Sequence, residues 1–138
     1  MKAIPALFAA ALLLAGCATS EPDGDPLAEM LSGVPAARGD AIAARIADKP
    51  LGSAQNPIRV YMPPGERDYL SRLRCASGAA PTFQRIGSVG MGPYGQIVDA
   101  YQVDCVGSTP ASSVLHIDMY HPTHVETRAP AGFTIVPR

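Results

Sequence analysis

The apolar positions of this chain change their period twice. Ile4 to Leu14 is an apolar run of eleven residues, interrupted only by Pro5. It is too short to cross a bilayer, which takes about 20 apolar residues, and it suits a secretory h-region of roughly 7–15. Residues 18–26, ATSEPDGDP, are polar and carry two prolines and a glycine, the composition of a flexible tether. Leu27, Met30, Leu31 and Val34 then fall at helical spacing. Pro35 interrupts them, and Asp40 is placed to cap a second short helix through Ile42 and Ile46, ending before Pro50. Residues 27–48 thus predict one broken helix or two short ones. Gly33, Pro35 and Gly39 weaken this stretch, so it either packs on the fold or stands off as a stalk.

From Pro57 the period drops to two. Ile58 to Met62 alternates and predicts a strand, Pro63-Pro64-Gly65 a turn, and Glu66 to Arg72 a turn or two of helix leading into Leu73-Arg74-Cys75. Thr82 to Val89 predicts a further strand. Gln96 to Cys105 is the strongest, with Ile97, Tyr101, Val103 and Cys105 on one parity and Asp99 among them. Ser113 to Tyr120 follows, with Leu115, Ile117 and Met119 on one face, and Phe133 to Val136 makes a short end strand. The expected fold class is α+β: a short N-terminal helical segment, then a small antiparallel sheet, forming a single domain over residues 27–138.

The N-terminus adds a location. Lys2 is a short positive region, and Leu14-Ala15-Gly16-Cys17 closes the apolar run with two small residues and a cysteine. This resembles the lipobox of exported bacterial lipoproteins. The resemblance implies removal of residues 1–16, a diacylglyceryl group on the Cys17 sulfur, and a tether over residues 17–26. Ala18, where an aspartate would retain the protein at the inner membrane, implies sorting to the outer membrane, facing the periplasm. A single acyl chain holds a protein only marginally, whereas two or three hold it firmly, at about 0.8 kcal/mol per buried CH₂.

Cysteine counting points to the same compartment. Of three cysteines, lipidation of Cys17 leaves Cys75 and Cys105, and two cysteines in an oxidising space most economically form a disulfide. A redox or metal-binding pair is the competing reading, but no C-x-x-C is present. Without residues 1–16 the chain has 138 − 16 = 122 residues, and losing Lys2 leaves ten cations against twelve acids, a formal charge of −2. Nothing in that balance asks for nucleic acid or an anionic membrane surface.

The candidate chemistry is sparse. Gly90-Met91-Gly92-Pro93-Tyr94-Gly95 matches G-x-G-x-x-G but leads into a strand rather than a helix, so it offers no nucleotide site. It predicts a wide hairpin connection, with Gly90, Gly92, Tyr94 and Gly95 as a contact loop and Tyr94 exposed at its tip. Arg59, Arg67, Arg72, Arg74 and Arg85 form a basic segment whose only nearby acids are Glu66 and Asp68. It reads as a solvated face or as a docking patch for an acidic partner, lipid headgroup or glycan. No G-x-S-x-G elbow and no distinctive carboxylate pair supports a hydrolase.

All three histidines lie in HIDMYHPTH, residues 116–124. In a strand His116, Asp118 and Tyr120 share a face, with His116 and Asp118 about 7 Å apart. His121 and His124 follow where Pro122 bends the chain. His116, Asp118, His121 and His124 are therefore candidate ligands for Zn²⁺ or Cu²⁺, against a reading in which they are structural or solvated.

The segments Asn56-Pro57-Ile58-Arg59-Val60 through Arg72-Leu73-Arg74-Cys75, Gly90 to Gly95, and Asp118-Met119-Tyr120-His121 resemble small uncharacterised lipoproteins of Gram-negative bacteria. That resemblance carries no activity. Cys75-Ala76-Ser77-Gly78 is also similar to a turn in lipoprotein inhibitors of lysozyme, although the proline-broken helical start departs from them. The expected function is a non-enzymatic envelope lipoprotein with an envelope protein or glycan as partner and no cofactor. A metal-binding protein or metal-dependent enzyme built on the histidine cluster is the alternative, and lysozyme inhibition a third.

Overall fold

The computed structural model describes residue 28 and residues 32–138. The expected signal, Cys17 and the tether lie outside the described residues, as does most of the first helical stretch. The elements run α1 (Ala36–Arg45), β1 (Ile58–Arg59), α2 (Met62–Arg72), β2 (Leu73–Cys75), β3 (Thr82–Met91), β4 (Ile97–Asp104), β5 (Ser112–Asp118) and β6 (Phe133–Ile135). The fold is α+β. A four-stranded sheet has the order β1-β5-β4-β3, and β2 pairs with β6 in a separate two-stranded sheet. Neighbours are antiparallel except for β1, which lies parallel to β5.

Strand parity assigns each face of the main sheet its cover. Register pairs Ile58 with Ile117, Tyr101 with Leu115, and Phe83 with Val103. These residues share one core with Tyr69, Leu70 and Leu73 from α2 and its end. The next residues along each strand point to the opposite side. There Arg59 stands beside Asp118 and Ala100 beside His116. A second small core of Val34, Ile42 and Tyr94 forms on this side with α1.

Three local expectations are corrected. Asp40 does not cap a helix. The helix starts one turn earlier, after Pro35 at the N-cap, and Asp40 lies inside it with Oδ1 accepting a hydrogen bond from Arg59 Nη1 at 3.0 Å. Pro63-Pro64-Gly65 is not a free turn but the opening of α2. The first turn of a helix tolerates proline because its N–H groups have no intrahelical partner there. The strand expected to reach Met62 ends at Arg59, and Met62 turns the chain with a φ of 57°.

The disulfide forms. Cys75, closing β2, and Cys105, just beyond β4, are bonded with their Cα atoms 5.6 Å apart. The bridge ties the small sheet to the large one across 30 residues, worth about 3–4 kcal/mol by loop-closure entropy. Among the described residues no helix is long and apolar enough to cross a membrane.

Candidate functional site

The four residues proposed as one metal site do not converge. His116 Nδ1 lies 3.1 Å from the Gly52 carbonyl oxygen, and its backbone N–H donates to the same oxygen at 2.9 Å. Asp118 is fully buried, and its Oδ1 accepts a hydrogen bond from the Tyr120 amide at 3.1 Å. His121 Nε2 sits 3.3 Å from that oxygen, within ion-pair range but off the hydrogen-bonding direction. His124 turns away to Glu126, with Nε2 3.4 Å from Oε2. Among the described residues no group of three or more His, Cys, Asp or Glu is gathered to hold a metal ion. His121 is held under α1 by its backbone N–H bond to the Val60 carbonyl at 3.0 Å, the turn at Pro122 and Thr123 carries His124 on to Glu126, and β5 holds His116 at the Gly52 turn.

The contact loop is corrected as well. Gly90 and Gly95 have positive φ, as a wide hairpin connection requires, and Gly92 packs so closely on Val98 that a Cβ there would collide with it. Tyr94, however, is 1% exposed. Its ring meets His121 edge-on at 4.6 Å, with the Arg59 guanidinium 5.8 Å from its centre. Burial pushes its hydroxyl pKa up.

The basic segment, read from the sequence as a solvated face or a docking patch, is therefore divided. Arg59 is buried with Asp118, His121 and Tyr94 beneath α1, and its guanidinium reaches out to the exposed Asp40 carboxylate. Gly39 makes room for it, since a Cβ there would come 3.2 Å from Arg59 Nη1 and 3.5 Å from His121 Nδ1. The signal was present in the strand pattern: Arg59 alternates with Ile58 and Val60, so a β1 covered on both faces must bury it. Arg85 remains half-exposed and grips Asp99 through two bonds of 2.7 and 2.8 Å, with Ser88 donating a third at 2.8 Å. Burial works against the Asp99 charge, but these hydrogen bonds win and hold its carboxyl below the usual range.

Two acids that sequence reasoning left unassigned are deeply buried. Glu66 points from α2 into the core, where Oε2 accepts a hydrogen bond from the Tyr101 hydroxyl at 2.8 Å and Oε1 has no partner. Burial, aided by the Asp99 charge, pushes its pKa up to about 7 against the opposing Tyr101 bond. Glu66 shares its helical face with Tyr69 and Leu70, a spacing that could have marked it as inward. Glu126 shows the opposite balance. Burial would raise its pKa, but hydrogen bonds from His124 and Arg128 bring it down to about 2.

Glu126 and His124 stand at an open cleft of about 380 Å³ between the start of α2 and residues 122–126. Tyr61, Pro64, Pro122 and Val125 supply its apolar wall, and Asp68, Arg72 and Arg138 its polar end. The charges are already engaged with one another. Asp68 Oδ2 accepts from Arg72 Nε at 3.2 Å and from Arg138 Nη2 at 2.7 Å. Arg72 also donates to the Glu126 carbonyl oxygen at 3.2 Å. No serine, threonine or cysteine lines the cleft among the described residues, and the Glu126 carboxylate has both oxygens occupied by Arg128. The arrangement can hold a ligand, with the half-buried His124 and its Glu126 partner on one wall. No protein-family model, curated protein or solved structure matches the chain.

Proposed function

We propose that this chain is a non-enzymatic lipoprotein of the cell envelope, held to the outer membrane by lipid on Cys17, with its folded part facing the periplasm. It works by binding, and the cleft beside α2 is the surface it offers to an envelope protein or glycan. One observation carries the reading. Cys75 and Cys105 are bonded to each other. Disulfides persist in oxidising compartments, which agrees with export. The pairing also leaves Cys17 as the remaining cysteine of three, directly behind an apolar run and two small residues. Binding is favoured over catalysis because the cleft, at about 380 Å³, has the size of a small-molecule site while its charged groups are committed to each other.

The test is metabolic labelling of the full chain and of Cys17→Ala in a bacterial host fed radiolabelled palmitate. The wild-type chain should take up label, fractionate with outer membrane and lose residues 1–16. The variant should take up none and leave the outer-membrane fraction. An unlabelled wild-type chain recovered in the soluble fraction would overturn the proposal.

A further inference from the structure

The hairpin of β3 and β4 carries an unusual share of uncovered apolar surface. Of nine exposed large hydrophobic residues among the described ones, four lie on it: Ile86, Val89, Met91 and Ile97. Met91 is 70% exposed and pairs with Ile97 where the two strands part into the loop. From Ile86 to Val98 the chain has no charged residue. Such a tip loses no ionic hydration on entering an apolar medium, and its aliphatic side chains gain from leaving water.

The start of the fold lies at the same end. Val34, near the beginning of the continuously described chain, packs with Tyr94 of the hairpin loop. Arg38 reaches Gly95 so closely that a Cβ there would lie 3.4 Å from its Nη2. Val34, 34 − 17 = 17 positions from Cys17 in sequence, therefore sits beside the loop end of the hairpin. The far end of the sheet is elsewhere, because β4 runs eight residues, about 25 Å, before the turn that holds Val106.

We infer that the β3–β4 hairpin tip, with Val89, Met91 and Ile97, rests on the lipid bilayer and sets the orientation of the anchored protein. The inference builds on the lipid at Cys17: the acyl chains anchor, and the tip orients. Arg38 at its flank can meet headgroup phosphates while its stem lies on the apolar surface. A second copy adding a strand to the β3 edge is disfavoured by the register breaks between Arg85 and Gly87 and between Ser88 and Met91, which disrupt the regular pairing such an edge would need.

The experiment reconstitutes the full lipidated chain into phosphatidylethanolamine–phosphatidylglycerol vesicles, with a fluorophore on Met91→Cys, Val89→Cys or Val106→Cys. Labelling is done without reductant so that the native disulfide stays closed. With doxyl-labelled lipid added, the probes at 91 and 89 should be quenched at least threefold more than the probe at 106, which is 93% exposed at the far end. Equal quenching at all three positions overturns the orientation. So does an emission blue shift at 91 that lipid quenchers leave untouched, since it would place protein on the patch. If none of the variants floats with vesicles, the reading of Cys17 falls and takes this inference with it, an outcome distinct from anchored protein with an unquenched tip.

Discussion

Glu66 makes the stability of this protein depend on pH in a direction unusual for a carboxylate. It is 1% exposed, its Oε2 is held by Tyr101, and its pKa stands near 7 against an ordinary value of 4.5. The folded state therefore binds the proton more tightly than the unfolded chain. Its contribution is fully present below pH 4.5 and is lost as pH rises through about 7. The span between these values, at about 1.36 kcal/mol per pH unit, amounts to about 3 kcal/mol. Glu66→Gln keeps an oxygen for the Tyr101 hydroxyl and removes the charge. Urea unfolding of the disulfide-bonded protein should give the two forms stabilities within about 1 kcal/mol of each other at pH 4.5. At pH 8 the variant should be the more stable by about 3 kcal/mol. A difference between the two that stays constant from pH 4.5 to pH 8 would refute a buried carboxylic acid at this position.

Three further outcomes can be measured on the same protein. Glu126, held near 2, gives stability that is present above pH 4.5 and lost as pH falls through about 2, so Glu126→Gln should remove about 2–3 kcal/mol of acid sensitivity, seen in melting temperatures from pH 5 to pH 2. Gly33 has a φ of 79°, and a Cβ there would lie 2.7 Å from the Tyr120 carbonyl oxygen; Gly33→Ala should cost about 2 kcal/mol or more, and a cost under 0.5 kcal/mol in urea unfolding would contradict that packing. Replacing Cys75 and Cys105 together by serine should cost about 3–4 kcal/mol, read as a drop in the unfolding midpoint that reductant reproduces in the wild-type chain.

The sheet was legible where its core-facing residues recur at every second position. Val103, Tyr101 and Leu115 announce their face by parity alone, and the disulfide follows from counting cysteines. The ends of the helices were less legible. Pro35 and the Pro63-Pro64 pair read as breaks in one dimension, yet each sits where a helix begins, the place a missing N–H costs least. The polar interior was hardest to foresee. Arg59 meets Asp40 19 residues away and Glu66 meets Tyr101 35 residues away, and local pattern holds no record of such meetings; Asp118 and Glu126 find partners within three residues, but only because the chain turns there. The histidine cluster shows the same limit: proximity in sequence placed four candidate ligands together, yet only Asp118 and His121 stay close, at 3.3 Å.

The parallel pairing of β1 with β5 bears on the order in which the molecule assembles. β3, β4 and β5 form a meander of near neighbours along the chain, whereas Ile58 meets Ile117 only after 117 − 58 = 59 positions. Loop-closure entropy puts the meander early and the insertion of β1 late. Until β1 docks, Asp118 has no Arg59 beside it and α1 has no Arg59 to meet. The face of the sheet that α1 covers is thus the last to close, and an incompletely folded chain exposes that face first.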